Sequence, residues 1–366
     1  MSDEELHGDV ESRDRKRHVF TIRDLLILSA IVAVFFAVVL PLLGRQIESA
    51  RRDACQNNLR QIGLGLHNYH AAYRHLPSAM GGSGSGPTPR HGNALRLSGL
   101  IAVSPFIESQ ALWEIVSNPS FHKGVNYPPM GPVPWDAAYP PWQEQIPTLR
   151  CPSEPTKQKT FARTNYLFSV GDSVQNLHAM KRQDIRGVFA PGHFTRFRDI
   201  LDGLSNTIMM METANARSDY LAGQFVVGAD STKMLTPSDC AKQADPNRRL
   251  HYLPALKLSD LGRGGNWADG AAGYSLVHTI LPPNSPSCAI GGTSHVDGFY
   301  SASSAHRGGC LVLMSDGAVG FVSDSIDVGD STKTTPTSIS VQSPYGVLGA
   351  IGTRASLEGD VGFELQ

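Results

Sequence analysis

Residues 25–77 read LLILSAIVAVFFAVVLPLLGRQIESARRDACQNNLRQIGLGLHNYHAAYRHLP, an apolar run followed by an amphipathic one. The first part, 25–43, is uncharged and has about the length of a helix that crosses a hydrocarbon core of ~30 Å. Core helices of soluble domains keep a polar face, and this run has none. A secretory signal has a shorter apolar region, roughly 7–15 residues, and then a small-residue cleavage site. Here GRQIESARRDA follows instead, so the run reads as a retained span whose partner is the lipid bilayer. Arg13, Arg15, Lys16, Arg17 and Arg23 precede it, against Arg45, Arg51 and Arg52 after it, which places the N-terminus in the cytoplasm. Everything beyond the run then lies on the far side of the cytoplasmic membrane, because long domains translocate largely regardless of charge.

Past the membrane Leu59, Ile62, Leu66, Tyr69 and Tyr73 recur at three- and four-residue steps, the stripe of a helix lying on a core. One helix over 20–76 is predicted, roughly 80 Å long at the α-helical rise, its first half in lipid and its second on the globular domain. Pro41, with Gly44 behind it, is expected to kink it at the outer membrane face. Leu76-Pro77 and the flexible GGSGSGP stretch end it. The chain thus divides into a cytoplasmic leader (1–19), the long helix (20–76) and an extracytoplasmic globular domain (77–366).

The composition suits that domain. Thirty-two Lys and Arg balance 33 Asp and Glu, which leaves no net field for nucleic acid. Thirty-six glycines and 24 prolines point to many turns. Short apolar runs bounded by turn residues, QFVVG (224–228), GCLVLM (309–314) and AVGFVSD (318–324), read as strands of an antiparallel sheet, so the fold class is α+β. Between the last two, Ser315-Asp316-Gly317 is a hairpin signal. With 309–315 extended, His306 and Asp316 stand roughly 20 Å apart, too far to share an ion, which gives them structural roles. Asp202-Gly203 and Asn206 read as turn chemistry, and Glu212 as a solvated strand end.

Five cysteines, without a CxxC pair, exclude a zinc ribbon or a thioredoxin-type motif. His67 and His70 share a helix face and could hold zinc or copper, but no HExxH or carboxylate accompanies them, and we read them as packing residues. Residues 118–142 are proline-rich, with Trp135, Tyr139 and Trp142 interleaved, and could offer aromatic faces to a partner. Residues 231–262 read as a polar surface insertion. GxSxG, GxxxxGK[ST] and GxGxxG motifs are missing, so we name no catalytic residue, metal or cofactor and do not read the chain as an enzyme.

The stretch HVFTIRDLLILSAIVAVFFAVVLP (18–41) resembles the N-terminus of type IV prepilins and pseudopilins. Phe20 stands where their first mature residue stands, Asp24 at their acidic residue and Pro41 at their helix proline. RRDACQNNLRQIGLGLHNYHAAYRHLP, LRCPSEP, RFRDILDGLSNTIMMMETA and His306-RGGCLVLMS-Asp316-Gly317 further resemble a prepilin-like family of unknown function, abundant in planctomycete-type bacteria, with a C-terminal His-(nine residues)-Asp-Gly motif. Val19 replaces the glycine after which prepilin peptidase cuts in that family, and on that departure we read the chain as an uncleaved single-pass protein. In the family the acidic residue pairs with the N-terminal amine of a neighbouring subunit, a pairing that Asp24 then lacks. Cys55 and Cys151 both fall in family-like segments, which makes them the first choice for a disulfide; two separate buried thiols are the alternative. The resemblance implies a structural envelope protein, a subunit of a pilus- or type II secretion-like assembly with like subunits as partners. The rival reading is a membrane-tethered module that binds carbohydrate, peptide or surface polymer through the aromatic loop.

Overall fold

A computed structural model describes residues 22–84, 86, 88–157, 160–178 and 184–358, without the side chains of 38–45. The leader, with Val19 and Phe20, lies outside the described residues, as does the Pro41 side chain. The chain divides into two units between Ala50 and Arg51.

The first unit is the beginning of α1 (Ile22–Tyr73), which carries Asp24 in its first turn, where a carboxylate meets the positive end of the helix dipole. The helix continues through Pro41. Every residue of 22–37 is exposed, with Ile22 at 80% and Phe35 at 58%. Among the described residues no helix is long and apolar enough to cross a membrane, and positions 38–43 of the apolar run fall outside the described side chains.

In the second unit the rest of α1 buries most of its predicted stripe: Leu59, Ile62 and Leu66 are fully enclosed, as is Cys55 beside them, and Tyr69 is largely buried, whereas Tyr73 at the helix end is exposed. The helix ends at Tyr73, because Arg74 turns into the left-handed region with φ 66°. Two ribbons follow, β1 (Met80–Gly81) with β2 (Leu97–Ser98) and β3 (Ser120–His122) with β4 (Val125–Tyr127). The GGSGSGP stretch is not wholly free, since the Asn93 side chain, itself buried, accepts from the Ser83 N–H at 2.9 Å.

The main sheet comprises β5 (Tyr166–Ser169), β6 (Ile208–Glu212), β8 (Leu276–Val277), β11 (Gly309–Met314) and β12 (Val319–Ser323), ordered β12-β11-β6-β5-β8. Its pairs are antiparallel except β5 with β8, which run parallel, so the sheet is mixed rather than purely antiparallel. All six residues of β11 are buried because both faces of the strand are covered. Leu311 and Leu313 join the core beneath α1, while Cys310, Val312 and Met314 pack with Leu348 and Ile351. α1 lies close at Gly63, where a Cβ would come within 2.8 Å of the Leu313 side chain. Gly63→Leu is therefore expected to cost about 1–3 kcal/mol by overpacking, seen as a lower urea midpoint.

A smaller sheet, β7 (Val226–Ala229), β9 (Cys288–Ile290) and β10 (Gly298–Phe299), supports a second core. Residues 231–262 lie mostly at the surface, as expected, but send Met234, Cys240 and Tyr252 into that core. Cys240 is disulfide-bonded to Cys288, and the enclosed Tyr252 hydroxyl donates to the Gln224 and Ser287 carbonyls. The polar segment takes part in this core through a few apolar side chains, with Leu256 and Leu258 packed against it as well.

Candidate functional site

The cysteine of α1 and the family-like loop and motif residues converge at the start of β11. Cys55 and Cys151 are joined by a disulfide with the Cα atoms 4.7 Å apart. LRCPSEP is held there from both sides: the Asn58 side chain donates to the Arg150 carbonyl at 2.7 Å, and the Asn165 side chain accepts from the Cys151 N–H at 3.0 Å. The Tyr166 hydroxyl of β5 donates to the Cys55 carbonyl at 2.9 Å.

Against this bridge stands His306, its Nε2 3.5 Å from Cys151 Sγ and 3.7 Å from Glu212 Oε1. Glu212 is not a solvated strand end: it is 1% exposed. β6 is central in the sheet, so its last residue is roofed by the strand beside it. Glu212 Oε2 accepts from the Ser304 hydroxyl at 2.7 Å and from the Leu311 N–H at 3.2 Å. Ser304 Oγ in turn accepts from the His306 N–H at 2.9 Å, which fixes the turn that delivers the imidazole. Burial raises the Glu212 carboxyl above its ordinary value of 4.5, against the lowering pull of His306 and the two hydrogen bonds.

The folded state therefore holds this proton more tightly than the unfolded chain does. Its contribution to stability is complete below about 4.5 and is lost as pH rises through the raised folded value. Glu212→Gln lacks that slope, so its stability relative to the wild type is expected to improve as pH climbs through this window. A gap that stays constant from acid to neutral pH contradicts the assignment. Glu212→Ala instead leaves the Ser304 hydroxyl and the Leu311 N–H without their acceptor, at about 1–3 kcal/mol for each buried group.

The ligand atoms of Cys55, Cys151, Glu212 and His306 lie within 4.8 Å of one another, and all four residues are buried. Two thiolates, an imidazole and a carboxylate are a zinc-type donor set. In the disulfide the sulfurs are bonded to each other and are not thiolates, so as it stands the cluster is a polar knot that ties α1, the 150–156 loop, β6 and β11 together.

Asp316 is apart from this cluster, past the other end of β11. Its Oδ1 accepts from the Ala318 N–H at 2.9 Å, and Gly317 adopts φ 93°, so the pair shapes the hairpin turn. His67 Nε2 donates to the Ser315 carbonyl at 3.0 Å, which fastens α1 to the same turn. His67 and His70 stack on Phe197 at 4.6 and 4.2 Å, so both are used in packing. Asp202 is more than a turn residue: its carboxylate accepts from the Ser356 and Leu357 N–H groups at 2.9 and 2.8 Å. The aromatic loop does not form a platform. Tyr139 and Trp142 are buried; Trp135 is exposed with Arg96 over its ring at 5.0 Å, and the other exposed aromatic of the stretch, Phe121, lies on β3.

Sequence reading missed the cavity of about 500 Å³ that opens over His306, with Arg217, Tyr220, Arg249, Leu250 and Arg307 on its walls. Arg217 reaches the buried Glu154 at 3.3 Å, while Arg249 and Arg307 are exposed. Guanidinium forks beside a tyrosine can take a carboxylate or phosphate group. The sequence held no signal for it, since its residues come from five separated segments.

Residues 47–329 match the model of a family described as "Protein of unknown function (DUF1559)". No curated protein and no solved structure matches the chain. The matched span contains both cysteines of the bridge, Glu212 and the whole His306 to Gly317 motif. The chain belongs to this family, the planctomycete-type prepilin-like proteins of unknown function.

Proposed function

We propose that this protein is a non-catalytic, pseudopilin-like component of the cell envelope, held in the cytoplasmic membrane by one N-terminal helix with its globular unit outside the cytoplasm. The observation that carries the reading is the helix of residues 22–37, which exposes apolar side chains on every face. Such a surface is costly in water and matches a lipid environment. The two disulfides support an extracytoplasmic setting, where oxidising conditions let them persist.

The same helix packs laterally with its kin if an assembly forms, and processing separates a filament subunit from a permanent anchor. With valine at position 19 the leader stays on. Intact mass and N-terminal sequencing of protein from its native membrane is expected to show a start upstream of Val19. A chain starting at Phe20 would overturn the permanent anchor and favour a filament subunit.

A second reading, a tethered binding module, now rests on the arginine-walled cavity over His306 rather than on the aromatic loop. A glycan or peptide whose binding is lost in Arg249→Ser/Arg307→Ser would support it.

A further inference from the structure

The C-terminal end of α1 meets the loop of residues 192–199, and basic side chains accumulate there. One hollow of about 400 Å³ is walled, among the described residues, by His70, Arg74, Arg196 and Arg198. A second, of about 290 Å³, shares Arg196 and adds His75, His193, Asp199 and Arg354. Four arginines and three histidines thus face two adjoining hollows with one carboxylate among them, on a chain whose formal net charge is −1. That carboxylate is engaged, because Asp199 Oδ2 accepts from the Arg196 N–H at 2.9 Å.

The cluster is built rather than incidental. The Leu76 N–H donates to the Thr195 carbonyl at 2.8 Å, and the Phe197 N–H donates to His70 Nε2 at 3.4 Å, which pins the loop to the helix end. His75 packs on Phe194 at 4.4 Å and His70 on Phe197 at 4.2 Å, which holds both imidazoles in place. Arg354 is 7% exposed, its Nε donating to the Ile185 carbonyl at 3.2 Å. Arg74 and Arg198 are exposed, and among the described residues their guanidinium groups have no ion-pair or hydrogen-bond partner. Guanidinium groups that line one hollow without a carboxylate partner favour an anion between them.

We propose that this double hollow is a binding site for an anionic polysaccharide, with the guanidinium forks of Arg74, Arg196 and Arg198 gripping oxyanion groups on successive sugars. Guanidinium pairs with sulfate, phosphate and carboxylate through two parallel N–H···O bonds, so all three groups suit the chemistry. A polymer fits better than a single ion because the two hollows adjoin and share Arg196. The inference is independent of the membrane anchor, since every residue it uses lies in the unit from Arg51 onward.

Full-length protein in detergent would be titrated by calorimetry with dextran sulfate, dextran phosphate, polygalacturonate and neutral dextran. At least one charged polymer is expected to bind, weakening as salt is raised because the arginines are exposed, while neutral dextran does not bind; the tightest of the three identifies the oxyanion. The double variant Arg74→Asn/Arg198→Ser keeps a residue that tolerates the left-handed conformation at position 74. It should bind about tenfold more weakly with an unchanged melting temperature, where a tenfold change corresponds to about 1.4 kcal/mol. Arg249→Ser/Arg307→Ser, in the separate cavity over His306, should bind like the wild type. Failure of all three charged polymers to bind, loss in the second variant rather than the first, or tighter binding of single-stranded DNA than of any polysaccharide would each overturn the proposal.

Discussion

Cys55→Ser/Cys151→Ser is expected to destabilise the globular unit by about 4.7 kcal/mol, the loop-closure value for a bridge across roughly 100 residues. The two cysteines are separated by 96 positions, so the bridge removes much of the freedom of the unfolded chain. The second bridge, Cys240–Cys288, spans 48 and should contribute about 4.1 kcal/mol by the same relation. Urea unfolding of the two double-serine variants, each with the other bridge intact, measures both. The first variant has a further cost that the relation omits, since His306 then faces two hydroxyls in place of the Cys151 sulfur. A loss below about 1 kcal/mol in the first variant would mean that Cys55 and Cys151 are separate thiols, because native bridges typically contribute 2–5 kcal/mol.

Arg186→Met should be nearly as damaging. Arg186 and Asp172 are both fully buried, with Nε–Oδ1 at 2.5 Å and Nη2–Oδ2 at 3.1 Å, and Arg186 Nη1 also donates to the Ser338 carbonyl. Removing the guanidinium strands a carboxylate without its counter-charge, at about 3–5 kcal/mol. Replacing both partners, Arg186→Met/Asp172→Leu, strands no charge and should recover most of that loss in the same urea titration. A double variant no better than the single one would show that the pair is held for the Ser338 contact rather than for charge balance.

Much of the helix was legible because its signals are local. The three- and four-residue steps from Leu59 to Leu66 are the buried face, and the apolar stretch of GCLVLM is the strand covered on both sides. The Asp316-Gly317 turn was legible for the same reason: hairpin chemistry is written in adjacent residues. Other features depend on partners remote in the chain. Glu212 looked like a strand end facing water, but β11 together with the loop that carries Ser304 and His306 encloses it. Tyr139 and Trp142 looked like a display surface because the sequence does not show that Trp267 and Tyr127 pack against them. The parallel edge formed by β8 and the role of Cys240 were equally hidden, since strand order and cysteine pairing are set by the path of the chain between them. The basic hollow is the extreme case, as Arg74, Arg196 and Arg354 share no local pattern.

Protease treatment of intact spheroplasts tests whether one apolar helix anchors a domain that stands outside the cytoplasm. The globular domain is expected to be digested from outside while a membrane-bound N-terminal fragment survives. Full-length protein that stays protected until the cells are lysed, or that is recovered in the soluble fraction after lysis, would contradict it.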